Sequence, residues 1–144
     1  MKVYFDTPLF VAAYIARHPH YAQSLRALEQ VSAGEIDGVV SAHGLAESFS
    51  VLTRAPYVPM IRPHDAWLYL ANDVLTVFDL VSLTASEYRD VVERCSQNGW
   101  SGGRVYDVLH IQAARKSNCE RIYTFNVKHF HQVAPDLRDI IVSP

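Results

Sequence analysis

The chain has 144 residues, of which 49% are hydrophobic and 19% are charged, so it has the length and composition of one folded domain with a full core. This composition excludes a disordered chain, and no apolar run reaches the roughly 20 residues of a membrane span. The formal net charge of −2 argues against a generic basic nucleic-acid binder, but it does not exclude an enzyme that meets nucleic acid through metal-bound carboxylates.

The N-terminus lacks a secretory signal, and the two cysteines, Cys95 and Cys119, form no C-x-x-C pair. A cytoplasmic protein without a membrane anchor is therefore expected. No repeat, low-complexity segment or linker divides residues 1–144, which we take as a single domain.

The predicted elements alternate between short hydrophobic strands and helices along the whole chain. In order, they are a strand at 3–5, helices at 9–16 and 21–32, a strand at 38–41, helices at 42–54 and 64–74, a strand at 77–81, helices at 85–96 and 104–117, a strand at 121–124, a helical turn, and a strand at 140–142. Thr7 and Ser41 are candidate N-caps, and Thr84-x-x-Glu87 is a capping box. This order predicts an α/β fold with a mostly parallel sheet and helices on both faces.

Polar residues follow two of the predicted strands. Asp6 comes directly after the first strand and Asn126 lies just past the fourth, so both are expected at the carboxyl edge of the sheet, where ligands bind in such folds. Asp107 lies in the first turn of a helix that is apolar on nearly every side. It is either a helix-start aspartate that faces water or a functional carboxylate, and Glu47, taken alone, is typical of a solvated surface.

Four segments of the chain together resemble the motifs of PIN domains, in the order of that family. They are Asp6-Thr7 after a hydrophobic strand, Ser41-Ala42-x-x-x-Ala46-Glu47, Gly102-Gly103-Arg104-Val105-Tyr106-Asp107-Val108-Leu109-His110, and Thr124-Phe125-Asn126-x-Lys128-x-Phe130. The third segment closely matches VapC-type members. The resemblance implies a PIN-like three-layer sandwich with a central sheet of about five strands.

The resemblance also implies a metal-dependent endoribonuclease in which Asp6, Glu47 and Asp107 bind Mg²⁺ or Mn²⁺ and take part in catalysis together with Asn126. Asn126 stands where many members carry a fourth acid, so one ion is expected to bind tightly and a second weakly. Thr7 and Thr124 are expected to orient the acids through their hydroxyls. Their alternative roles are those of a cap and a strand residue.

Three residues near these positions are candidate substrate contacts: Arg104, Lys128 and His110. For His110 the alternative is a buried, hydrogen-bonded core histidine. The close pairs His18-x-His20 and His129-x-His131 lack the complementary ligands of a structural zinc site.

The VapC-type resemblance further implies an RNA substrate, a homodimer and a cognate protein antitoxin. The apolar surface for such partners is expected from the 14–28 helices and the 56–67 stretch, residues that equally suit a core. Two alternatives stay open at this point. One is a PIN-like RNA-binding module with little or no catalysis, which Asn126 favours, and the other is an RNA-processing PIN nuclease outside any toxin pair.

Overall fold

The structure is a computed structural model that describes residues 1–54 and 56–144. Within these residues the strands are β1 (Lys2–Phe5), β2 (Asp37–Ser41), β3 (Asp79–Val81), β4 (Arg121–Tyr123) and β5 (Ile141–Val142). The helices are α1 (Thr7–Tyr14), α2 (Tyr21–Ser32), α3 (Ala42–Arg54), α4 (Pro63–Tyr69), α5 (Ala85–Asn98), α6 (Arg104–Lys116) and α7 (Val127–Val133). A π-helical turn (Leu70–Val74) extends α4, and a 3₁₀ turn (Pro135–Leu137) follows α7.

The predicted order of elements is confirmed, and most boundaries agree within two residues. One cap was wrong: α1 begins at Thr7, because the carboxylate of Asp6 accepts a hydrogen bond from the Thr7 backbone N–H and so caps the helix itself. The third strand is shorter than predicted. Val77 and Phe78 lie in the turn before β3, where Phe78 inserts its ring into the core.

All five strands run parallel in one sheet, in the order β3-β2-β1-β4-β5. The chain builds outward from β1 to β3 and then returns to place β4 on the other side of β1. The strand order therefore reverses next to β1. In parallel sheets a crevice forms at such a reversal, beyond the carboxyl ends of the strands.

Helices cover both faces of the sheet, so the predicted three-layer α/β architecture is confirmed. Successive residues of β1 point to opposite faces: Phe5 packs with α1, α2 and α4, whereas Tyr4 packs with α5, α6 and α7. In the described residues, no helix is both long and apolar enough to cross a membrane.

A candidate metal centre at the carboxyl edge of the sheet

Asp6 is fixed at the point where β1 becomes α1. Its backbone N–H continues the sheet by donating to the carbonyl of Tyr123, and its carboxylate caps α1 through Oδ1, which lies 2.8 Å from the Thr7 backbone nitrogen. Only 3% of Asp6 is exposed. Burial raises the pKa of this carboxyl, and the neighbouring His110 and the donors Thr124 and Thr7 oppose that rise.

Thr124 holds the second oxygen of Asp6 from the neighbouring strand. Its fully buried hydroxyl donates to Asp6 Oδ2 at 2.8 Å and accepts from the backbone N–H of Asn126 at 2.9 Å. One hydroxyl therefore ties the end of β1 to the chain beyond β4. The Thr7 hydroxyl, which we had expected to act in the same way, is buried and makes no hydrogen bond within the described residues.

Helix α3 brings a second carboxylate to this edge. Ser41 caps the helix as predicted, since its Oγ accepts from the Gly44 backbone N–H at 2.8 Å. In the first turn of α3, His43 Nε2 lies 2.9 Å from Oε2 of Glu47, which is one turn further along the helix. Glu47 is half-buried rather than a solvated surface residue. Burial alone would raise the pKa of Glu47, but its contacts with His110 and His43 lower the pKa below the usual range.

His110 of α6 lies at the centre of the cluster, with 2% of its surface exposed. Its Nδ1 is 2.7 Å from the hydroxyl of Tyr4, which in turn donates to Ser41 Oγ at 2.9 Å. Its Nε2 lies 3.4 Å from Asp6 Oδ1 and 3.5 Å from Glu47 Oε1. These two carboxylates raise the pKa of His110 above its usual value, although burial alone would lower it.

The absence of a side chain at Gly44 helps His110 reach α3. A Cβ built at Gly44 would lie 3.1 Å from Ser41 Oγ, which is tighter than an ordinary contact, and 3.4 Å from His110 Cε1, which is at the near limit of one. His110 is thus both the buried, hydrogen-bonded histidine that we had considered and a direct neighbour of two of the predicted acids.

Asp107 enters the same cluster from the first turn of α6 and is half-buried. Burial raises the pKa of its carboxyl, and the negative charges of Asp6 and Glu47 raise it further, against the opposing influence of His110. Carboxylates that raise one another's pKa form a region of concentrated negative charge.

This donor set fits a divalent cation. A cation would relieve the repulsion among the carboxylates, whose oxygens are the ligands that Mg²⁺ and Mn²⁺ prefer. In the described residues, His110 Nε2 and the Thr7 hydroxyl are buried polar atoms without a hydrogen-bond partner, and buried polar groups are normally paired.

The other predicted site residues lie farther out. Asn126 is exposed and is held to the cluster through its backbone N–H rather than through its amide side chain. Arg104, the first residue of α6, is half-buried, and Lys128 in α7 is exposed. Within residues 1–54 and 56–144, neither of these basic side chains forms a salt bridge.

Two residues of the cluster, His43 and Tyr4, are not among the site residues predicted from the sequence. His43-x-x-x-Glu47 has the i, i+4 spacing that places two side chains on one face of a helix, so this pair carried a usable signal. Tyr4 carried none, because an aromatic residue inside a hydrophobic strand is typical of a core.

Comparisons with known proteins show the family to which the chain belongs. The sequence profile of the PIN domain family matches residues 3–135. Ribonuclease VapC40 of Mycobacterium tuberculosis is 32% identical over 105 residues, which cover 72% of this chain and 72% of the relative. The chain belongs to the PIN domain family. The family resemblance predicted from the four motifs is thereby confirmed.

Solved structures share the fold of this PIN domain. Mycobacterium tuberculosis VapC20, described as a Sarcin-Ricin loop cleaving toxin, superposes with a TM-score of 0.69 at 17% identity, over 88% of this chain and 92% of that chain. VapBC2 from Rickettsia felis, solved with a DNA fragment from their promoter, gives a TM-score of 0.67 at 20% identity, over 100% of this chain and 99% of that chain. At these identities the likeness shows the PIN fold.

Proposed function

We propose that this PIN domain is a metal-dependent endoribonuclease and the toxin of a VapBC-type toxin–antitoxin pair. The observation that carries the proposal is the convergence of Asp6, Glu47 and Asp107 from three separate elements at the reversal point of the sheet. In open parallel sheets this is where ligands bind. The 32% identity to a protein named Ribonuclease VapC40 supports the same activity.

The three carboxylates would hold Mg²⁺ or Mn²⁺. When bound, such an ion activates water and offsets charge on a phosphodiester. The protein's own part is to fix the ligands. Thr124 and the capped end of α1 hold both oxygens of Asp6, whereas the contacts of Glu47 with His43 and His110 keep that carboxyl ionised.

Basic and aromatic groups around the centre suit an RNA chain. Arg104 precedes Asp107 by three residues in α6, and Lys128 of α7 lies two residues after Asn126, which supports both as phosphate contacts. Tyr106 is 49% exposed and stacks on His43, with ring centroids 5.2 Å apart and planes 10° apart. An exposed ring of this kind offers a surface on which an unpaired base can stack.

The toxin assignment requires a surface for an antitoxin, and we place it at the loop before α4 and at α4 itself. Val58 is 89% exposed and Met60 72%, and both line a groove together with Tyr14 and Ile61. Trp67 of α4 is 51% exposed. Of the other expected stretch, Tyr14 contributes to this groove, whereas Leu28 of α2 is buried in the core. The toxin assignment implies a protein antitoxin as the partner for this surface, and the homodimer stays a prediction from the family resemblance.

The experiment incubates the purified protein with total cellular RNA in Mg²⁺, in Mn²⁺ and in excess chelator. Asp107→Asn is tested in parallel, and Asp79→Asn, which changes an exposed carboxylate at the start of β3, is the matched control. We expect discrete fragments that require the ion, are retained by the control and are lost in Asp107→Asn. RNA binding without cleavage in either ion would instead favour the binding module, with Asn126 as the first residue to restore to aspartate.

A further inference from the structure

We propose that the imidazoles of His43 and His110 join Glu47 as metal ligands, so that the centre binds Mn²⁺ in preference to Mg²⁺. The inference rests on the proposed function only in placing Glu47 in a metal centre. It adds two nitrogen ligands to the carboxylates that the sequence motifs indicate.

The geometry of the three side chains suits one ion. Their ligand atoms all lie within 4.8 Å of one another; His43 Nε2 is 2.9 Å from Glu47 Oε2, and His110 Nε2 is 3.5 Å from Glu47 Oε1. An ion with bonds of about 2.0–2.2 Å places adjacent ligand atoms about 3 Å apart and opposite ones about 4.3 Å apart. The distances of 2.9 and 3.5 Å lie close to the separation of adjacent ligand atoms, and the limit of 4.8 Å lies close to that of opposite ones.

His110 carries the strongest evidence. Its Nε2 is buried, makes no hydrogen bond within the described residues, and points between Asp6 Oδ1 at 3.4 Å and Glu47 Oε1 at 3.5 Å. A metal ion at this point takes the place of the proton that joins the ring nitrogen to the two carboxylates, because a histidine ligand must be neutral.

The opposite side of the His110 ring is arranged as in metal-binding histidines. These residues usually donate their second N–H to a nearby acceptor, which fixes the tautomer and the ring orientation. Here Tyr4 donates its hydroxyl proton to Ser41, so its oxygen is free to accept from His110 Nδ1 at 2.7 Å.

The nature of the ligands decides between the two ions. Mg²⁺ is a hard cation that takes oxygen ligands in near-ideal octahedral geometry and gives up its waters reluctantly. Imidazole nitrogen binds first-row transition metals, and of the two ions that the proposed function allows, only Mn²⁺ belongs to that series. A centre with two ring nitrogens and flanking carboxylates therefore discriminates against Mg²⁺.

The test measures Mn²⁺ and Mg²⁺ binding to the full chain by calorimetry, without RNA. Pulsed electron paramagnetic resonance of bound Mn²⁺ is recorded on protein with ¹⁴N- or ¹⁵N-labelled histidine. We expect Mn²⁺ to bind at least ~10-fold tighter than Mg²⁺, with a nuclear coupling that changes on histidine labelling. His43→Gln should weaken Mn²⁺ binding ~10-fold and reduce this coupling, whereas His64→Gln, which changes an exposed histidine of α4, should do neither.

Several outcomes separate this inference from the nuclease proposal. His110→Gln is examined by circular dichroism first, and if it does not fold, His43→Gln alone decides. No histidine coupling to Mn²⁺, or equal affinities for the two ions, overturns the inference even if RNA is cleaved. Histidine-bound Mn²⁺ in a protein that cleaves no RNA upholds it and refutes the nuclease.

Discussion

Replacing Thr124 by valine removes one hydroxyl and leaves the size of the side chain nearly unchanged. That hydroxyl donates to Asp6 Oδ2 at 2.8 Å and accepts from the Asn126 backbone N–H at 2.9 Å, in a side chain that is fully buried. The substitution therefore tests whether the carboxylate of Asp6 must be held from β4 for the metal centre to form.

The magnitude follows from the two lost hydrogen bonds. A bond to a charged group contributes about 1.5–3 kcal/mol, and a buried N–H left without a partner costs about 1–3 kcal/mol. Asp6 keeps its hydrogen bond from the Thr7 N–H, and Asn126 is exposed enough to reach water. We therefore expect each of the two energies to lie near the lower end of its range. Thr124→Val should thus lower the free energy of unfolding by about 3 kcal/mol and weaken metal binding about 10–100-fold.

Urea unfolding gives the first quantity and calorimetric Mn²⁺ titration the second, on wild type, Thr124→Val and Thr124→Ser. Serine keeps the hydroxyl and loses one methyl group, which costs roughly 1 kcal/mol of stability without touching the carboxylate. Metal affinity should follow the order wild type, serine, valine, with serine close to wild type. If valine binds Mn²⁺ as tightly as wild type, or if serine binds as weakly as valine, the hydroxyl does not organise the centre.

Three further substitutions test the electrostatics and the packing. Asp107→Asn should stabilise the metal-free protein by about 0.5–2 kcal/mol, because it removes a charge that burial disfavours and that Asp6 repels. Because the pKa of Asp107 is raised in the folded protein, this gain in stability is complete above that pKa and disappears in acid. With saturating Mn²⁺, the wild type should instead melt at a higher temperature than Asp107→Asn. Gly38→Ala should cost about 1–3 kcal/mol in urea unfolding, since its Cβ would lie 2.6 Å from the buried Phe78 ring. Thr84→Ala should cost about 1 kcal/mol by the same assay, because Thr84 caps α5, and a larger loss would mean that it has contacts beyond the cap.

Local sequence signals determined much of the architecture. Periodic apolar residues separated the strands from the helices, and the alternation of the two required a parallel sheet. The position of Asp6 at the carboxyl edge followed from its place directly after β1. Its role as the cap of α1 was missed, although aspartate is a favoured N-cap residue and it directly precedes Thr7-Pro8.

The arrangement within the site depends on contacts between residues distant in the chain. Tyr4 and His110 are separated by 106 residues and yet lie 2.7 Å apart, and no local pattern encodes that distance. The half-burial of Glu47 depends on α3 packing against α6, so its surroundings could not be read from α3 alone. Asn126 shows the limit of motif-based inference, because its backbone N–H rather than its amide is what Thr124 holds.

The central claim is that the metal centre of Asp6, Glu47 and Asp107 cleaves RNA and does not merely bind it. The most direct measurement takes one RNA fragment mapped from total RNA and compares its single-turnover cleavage rate with its binding affinity, in saturating Mn²⁺, for wild type, Glu47→Gln and Asp107→Asn. We predict that each variant loses at least ~100-fold in rate while RNA affinity changes only a few-fold. Cleavage by Asp107→Asn at the wild-type rate, or binding without cleavage by the wild type, would contradict the account.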